Sequence, residues 1–387
     1  MPSFFTRKKS DGSQVLSALR SVFFRFDYKQ IIPMIILLLF GVFFVYGIGQ
    51  QVGGVGAEIY WKRQIQWAVI GLVIWLVLAL FDYRKYGVIS LFLWPISIAL
   101  LGIVLKFGVD RFGAKRWFSL FGFSIQPSEI AKLCTIVFLA WLLSRKDIDV
   151  NKIKWFFLSI LILTVPAFLI FQQPNLSTAL TVIICGVSII FTARLKLKTI
   201  LIITVLLAIL APIGYSMLRD YHKERIAVFL DASKDPLNAG WNQMQSELAV
   251  GSGGLTGKGF MQGTQNNLGY LPQTVSNSDF IFSVIAEETG FIGAMVVVAM
   301  YILLMISIFS TALTAQDDFG RYLCAGIGAM FALHSIVNMG MTIRMMPVTG
   351  LPLPLVSYGG TFMVTSLMAL GMVQSVYSKR IIPEPED

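Results

Sequence analysis

The sequence predicts an all-α, polytopic integral membrane protein with about ten transmembrane helices and a large extracytoplasmic loop between helices 7 and 8. Three observations predict it. Only 13% of the 387 residues are charged and 56% are hydrophobic, whereas a soluble domain carries roughly a quarter charged residues. Mean hydropathy is +0.73. Apolar runs near the length needed to cross hydrocarbon, about 17 to 25 residues, recur from one end of the chain to the other.

In order, the runs fall at 31–50, 67–81, 86–105, 129–143, 155–171, 176–191, 200–217, 280–310, 322–343 and 356–376. The N-terminus lacks a short apolar core followed by a small-residue cleavage site, so the first span is expected to be retained. The run at 280–310 is longer than a bilayer needs, and part of it is expected to rise above the surface. Lys and Arg then set the sides. Counting alternately from an inner N-terminus, Arg7, Lys8 and Lys9 share a side with Arg84, Lys85, Arg145, Lys146, Arg194, Arg321, Lys379 and Arg380. Both termini are therefore expected in the cytoplasm. Residues 1–30 form a basic cytoplasmic segment, 31–378 the membrane domain including the extracytoplasmic loop 219–278, and 379–387 a cytoplasmic tail. The same rule accounts for the net charge of +10, so no nucleic-acid partner is called for. Cys134, Cys185 and Cys324 all lie in apolar runs, which argues against a disulfide framework, and two His residues argue against a zinc site.

Two outer segments keep positive charge against the rule. One, at 106–126, carries Asp110, Arg111, Lys115 and Arg116 among aromatics. The other is the 219–278 loop with the run GSGGLTGKG at 251–259. That run fails the phosphate-loop pattern, because the required first glycine falls on Ser252 and Gly259 follows Lys258. It fails the dinucleotide pattern because the last position falls on Thr256. Five glycines still permit close backbone approach to something, with Lys258 as a lone cation; a flexible surface turn is the plain alternative. Asp279, where the loop meets the next span, sits where a lipid-anchored substrate would present its polar head. Ser276, Asn277, Ser278 and Asp279 also fit a capping box at a helix start, and a dipole-stabilised aspartate can both cap and accept a proton.

Lys115, Arg116 and Trp117 read either as a juxtamembrane anchor or as cations for a pyrophosphate-bearing lipid. Glu129 and Lys132, at i, i+3, are expected to pair, since neither charge is cheap at lipid depth. Of Glu287 and Glu288, about two turns into the Asp279 helix, one could face a cavity, and the other is expected to pair elsewhere or lie above the bilayer. His334 and Asn338, at i, i+4, suggest a helix–helix hydrogen bond. Proline-rich interruptions at 172–175 and 347–354 must line a cavity or be covered by protein, because nonhelical backbone cannot face lipid. All these irregular segments fall on one predicted face.

Several motifs together resemble the SEDS family (shape, elongation, division and sporulation). They are Gly113-Ala114-Lys115-Arg116-Trp117, Gln126-Pro127-Ser128-Glu129-Ile130-Ala131-Lys132, Gln245-Ser246 leading into the glycine run, Ser278-Asp279-Phe280-Ile281-Phe282 with Ala286-Glu287-Glu288, and Pro352-Leu353-Pro354-Leu355-Val356-Ser357-Tyr358-Gly359-Gly360. The last has the form of the rod-shape branch. The resemblance implies a ten-helix peptidoglycan glycosyltransferase that polymerises lipid II outside the cytoplasmic membrane beside a class B penicillin-binding protein. It implies Asp279 as the essential acid, with functional weight on Trp117 and on the Glu129/Lys132 pair, the latter a structural ion pair near the site. Lys115, Arg116, Trp117, Lys258, Gln245 and Ser357 make up the expected substrate-binding set. The family often has Asp and Glu where this chain has Asn175 and Gln273. No mechanism or metal site built on those carboxylates is available, which leaves Asp279 as the simplest base. A divalent cation, Mg or Mn, on the pyrophosphate stays open. A lipid II flippase and a noncatalytic scaffold for the crosslinking partner are the other function classes.

Overall fold

The computed structural model describes residues 26–52, 57–111, 114–120, 123–196, 239–271 and 273–380, with isolated positions between 198 and 229. The span expected at 200–217 lies almost wholly outside the described residues, as do the ends 1–25 and 381–387. Nine long helices are described: α1 (Tyr28–Val52), α2 (Ala57–Leu80), α3 (Tyr83–Phe107), α4 (Pro127–Leu143), α5 (Ile153–Gln172), α6 (Leu176–Thr192), α10 (Ile281–Thr314), α11 (Asp318–Thr342) and α12 (Gly360–Ser378). Three short ones, α7 (Ala239–Ser252), α8 (Thr264–Asn267) and α9 (Gln273–Ser276), precede α10. Seven of the nine are long and apolar enough to cross a membrane. The chain is a multi-pass membrane protein.

Helix boundaries follow local chemistry. Asp82, Asn175 and Asp317 cap α3, α6 and α11 by accepting from the amides of Arg84, Thr178 and Gly320, which satisfies donors a helix start leaves open. Pro127 opens α4 at its first turn, where a missing amide costs nothing. Burial sorts inner from outer helices: 78% of the most apolar window of α12 is buried, against 22% for α3. α12 packs against α2, while α11 packs on α10, α6 and α4. Leu39, Phe43, Val73 and Phe92 on α1 to α3 are exposed, an apolar flank suited to lipid.

The two ends of the bundle differ. At one, Arg84 meets Asp317 at 3.3 Å and Lys379 meets Asp82 at 2.6 Å, so the basic loops are laced to helix caps. At the other lies a small antiparallel sheet in the order β1 (Val109–Arg111), β2 (Ala114–Leu120), β3 (Phe123–Ile125), with Asp110 opposite Lys115 and Phe118 opposite Ile125. The same end carries the proline turns and the glycine run.

The long run at 280–310 is not one straight rod. Gly290 has φ 68 and ψ −165, which breaks α10. Residues Ile281 to Glu288 before the break are all buried, while Phe291 and Ile292 just after it are exposed and apolar. The first two turns belong to the protein interior, and the lipid-facing stretch starts after the glycine.

Candidate functional site

Asp279 lies between α9 and α10, and the capping expected of it is not made. Ser276 ends α9, the N-cap of α10 is Phe280, and that helix start has no side-chain cap. What holds this segment comes from elsewhere. The carbonyl of Asn277 accepts from the Tyr358 amide at 2.8 Å. That of Ser278 accepts from the Ser357 hydroxyl at 2.5 Å, and that of Asp279 from Asn338 Nδ2 at 2.9 Å. Three consecutive carbonyls are thus each taken by a donor from α11 or the loop before α12. The carboxylate itself is left for other work. One of its oxygens faces Gly350, where an added Cβ would stand 3.5 Å away. Burial pushes its pKa up to about 6; the Arg225 guanidinium, and secondarily a hydrogen bond from Ser278, pull it down. Arg225 also donates to Val348 O at 3.0 Å, so this cation and the proline loop enclose the acid together.

The irregular segments converge around it. Arg116 on β2 donates from Nε to Gln173 O and from Nη2 to Pro174 O, both at 2.6 Å, fastening the sheet to the turn between α5 and α6. Ser177 at the start of α6 donates to Thr349 O at 2.6 Å, and Gly350 follows. Contacts therefore run from β2 to Asp279 without a gap. On β2, Lys115 is exposed and Trp117 half-buried. Gln245 is buried in α7 beside Ser246, whose hydroxyl pairs with that of Ser283 at 2.6 Å. Ser357 is also buried, and besides donating to Ser278 O it accepts from the Leu353 amide at 2.8 Å.

The glycine run is a clamp on the break in α10. Lys258 N and Gly259 N donate to the carbonyls of Glu287 and Glu288, while Phe291 N and Ile292 N donate back to Gly254 and Leu255. A Cβ on Gly257 would meet Glu288 O at 2.1 Å. The backbone that the glycines approach is the protein's own helix. Both glutamates are buried. Glu287 accepts from Lys258 Nζ at 2.6 Å and from the Thr264 amide at 2.8 Å.

Glu129 and Lys132 pair at 2.8 Å, both almost fully buried. Lys132 Nζ also lies 3.0 Å from His334 Nε2, whose other ring nitrogen is 3.1 Å from Pro352 O. Asn338, one turn on, donates to Leu351 O at 2.8 Å as well as to Asp279. His334 thus makes the expected helix–helix bond, to Lys132 on α4, and both His334 and Asn338 also bond to the proline loop, whose carbonyls have no helix amides of their own to accept from. Among the described residues no group of three or more His, Cys, Asp or Glu could hold a metal ion.

The profile of the family described as cell cycle protein, FtsW/RodA/SpoVE, matches residues 28–381. The chain belongs to that family. Among curated members, peptidoglycan glycosyltransferase MrdB of Escherichia coli K12 is 35% identical over 356 residues, covering 92% of this chain and 94% of its own. A probable peptidoglycan glycosyltransferase FtsW of Trichlorobacter lovleyi is 34% identical over 374 residues, covering 94% and 96%. Among solved structures, a chain of a peptidoglycan synthase complex that coordinates polymerization and crosslinking superposes with a TM-score of 0.76. Its identity is 28%, and the match spans 91% of this chain and 97% of that one. The rod shape determining protein RodA of Thermus thermophilus gives 0.67 at 26% identity, over 92% and 97%. In this FtsW/RodA/SpoVE protein, sequence reasoning missed Arg225, and it named Asn338 without its bonds to Asp279 and Leu351. Neither is near Asp279 in sequence, and neither belongs to a pattern that points there.

Proposed function

We propose that this chain polymerises lipid II into glycan strands at the outer face of the bacterial cytoplasmic membrane during cell elongation, with Asp279 as general base. The chain is a peptidoglycan glycosyltransferase by its family and its named relatives. The observation that carries the finer reading is the Asp279 carboxylate, uncapped, with its pKa raised to about 6 and backed by Arg225. A base is most effective with a pKa near the working pH, and positioned base catalysis contributes roughly 10²–10⁴-fold.

In the reaction, Asp279 removes the proton of the acceptor N-acetylglucosamine 4-hydroxyl. The oxygen attacks the donor's anomeric carbon from the face opposite its pyrophosphate. The new C–O bond forms as the bond to the pyrophosphate breaks, so an α-linked donor gives a β-linked product, and the polyprenyl pyrophosphate leaves with the electron pair. One displacement needs one base and no covalent enzyme intermediate. Lys115 and Trp117 on β2, with Arg116 behind them, are placed at the same end of the bundle to receive the pyrophosphate lipid. Lys258 reaches that end already bound to Glu287, and Gln245 and Ser357 contribute from buried positions that shape the wall. A class B penicillin-binding protein would crosslink the strand alongside.

The test uses purified chain in proteoliposomes with lipid II, with and without the penicillin-binding protein. Glycan polymer from the wild type and none from Asp279→Ala supports the reading. Normal polymer from Asp279→Ala removes the base. Movement of lipid II across the bilayer without polymer makes the chain a flippase, and neither result makes it a scaffold.

A further inference from the structure

We infer that Asn338 is the positioning residue for Asp279, fixing the acid and the proline loop beside it in one register; the inference rests on Asp279 being the base. Asn338 is wholly buried in α11. Its Nδ2 donates to Asp279 O at 2.9 Å and to Leu351 O at 2.8 Å, so one amide group ties the acid's own residue to the loop. Leu351 follows Gly350, the residue that the Asp279 carboxylate faces. The amide can sit only this way round, because turning it would set Oδ1 against two carbonyl oxygens. Oδ1 in turn has no hydrogen-bond partner. A buried acceptor left unmade is a cost, so the two bonds from Nδ2 are what the residue is there to make.

Position matters more here than at an ordinary helix start. α10 begins without a side-chain cap, so the helix does not fix the residue before Phe280. Ser357 and Tyr358 hold the two preceding carbonyls, and the Ser357 hydroxyl also accepts from the Leu353 amide. Of the three donors, Asn338 is the one that takes the carbonyl of Asp279 itself and joins it to Leu351, next to Gly350. His334, one turn earlier, supports the same loop at Pro352. Without the Asn338 amide, the Asp279 carbonyl loses its direct tie to Leu351 beside the Gly350 wall, and only the Ser357 and Tyr358 bonds one and two residues earlier remain. Misplacement of a reacting group by about 1 Å costs on the order of 100-fold in rate.

The experiment compares Asn338→Leu, which keeps the branched shape at a larger volume and loses both bonds, Asn338→Asp, which keeps shape and loses the donor when ionised, and Asn338→Ser, which leaves room for a water to donate. Each is reconstituted with lipid II, and turnover is normalised to folded, monodisperse protein. The expected result is a kcat lower by about tenfold or more with KM within about threefold, since the defect lies in the transition state and not in substrate capture. The acid limb of the pH profile moves from its wild-type position, and Asn338→Ser falls between wild type and Asn338→Leu. Thr311→Val, which removes a buried hydroxyl bonded to Ser307 O on the far part of α10, reports the effect of general destabilisation. If any folded Asn338 variant lacking the donor keeps wild-type kcat and acid limb, or all of them match Thr311→Val, the inference is overturned. Asp279→Asn run in parallel separates the two claims. Full activity in that variant overturns the base assignment. A dead Asp279→Asn beside a normal Asn338→Leu overturns only the positioning role.

Discussion

Asp279 is a carboxylate held in its uncomfortable form. Its pKa stands at about 6 because burial disfavours the charge more than Arg225 restores it. Two pH dependences follow, with opposite senses. A general base works only when deprotonated, so with Asp279 as the proposed base polymerisation is expected to fall as pH drops through about 6. Stability runs the other way, because a carboxyl whose folded pKa exceeds its unfolded value binds more protons when folded. Its contribution to stability therefore declines as pH rises from the ordinary carboxylate range, about 4, through the folded value of about 6. Asp279→Asn should thus abolish polymer while leaving the melting temperature at neutral pH equal to or above wild type, as differential scanning fluorimetry in detergent would show. A marked loss of melting temperature would mean that the acid is structural. Arg225→Ala extends the argument. With the restoring cation gone, the acid limb moves to higher pH, and activity lost near neutrality returns at about pH 8. A pH–rate profile superposable on wild type would detach Arg225 from the acid.

At the scale of an element, the break in α10 is the feature on which the surrounding loop is organised. Gly290 takes φ 68, and a Cβ there would meet Gly257 N at 2.3 Å; Gly257 takes φ 81 with Glu288 O at 2.1 Å from its own virtual Cβ. At both positions a side chain is excluded by backbone conformation and by backbone atoms that no rotamer change can move. Gly254 has φ 56 and open space, and Gly251 has neither constraint. Alanine substitutions should therefore rank by these two factors. Gly257→Ala and Gly290→Ala are expected to lose several kcal/mol or to fail to insert, Gly254→Ala about 1–2 kcal/mol from the left-handed backbone alone, and Gly251→Ala close to nothing. Thermal melts of the four variants check the order; equal melting temperatures across the set would show that the clamp does not hold the loop. From sequence, five glycines in nine residues permitted a close backbone approach as readily as a flexible surface turn, and a glycine run does not name what approaches it. The partner lies about 30 residues away, in a stretch whose composition is that of an ordinary membrane helix.

For the molecule as a whole, spans were legible and junctions were not. Apolar run length is a property of the chain itself, and every span that the described residues cover has a helix there. The sheet at 109–125 escaped because charged and aromatic residues mix without period-two alternation, and three-residue strands carry little pattern. Arg225 escaped, and Asn338 was read only as part of a helix–helix bond, because their partners are backbone atoms and a carboxylate far off in sequence. Glu129 and Lys132 were readable as a pair, being on one helix face, but not their link through His334 to the Pro352 carbonyl. That link decides what the pair is worth. Removing one member, as in Glu129→Gln, strands a buried charge and should cost about 3–5 kcal/mol, whereas an apolar replacement of both members is often neutral or better. Glu129→Leu with Lys132→Met is therefore expected to regain the melting temperature that Glu129→Gln loses. Polymerisation should not return with it, because Lys132 also fixes His334, and His334 supports the loop that faces Asp279. Stability and glycan synthesis measured on the same preparations separate the two duties: recovery of both together would confine the pair to holding the bundle, and recovery of stability alone would connect it to the acid 150 residues further along the chain.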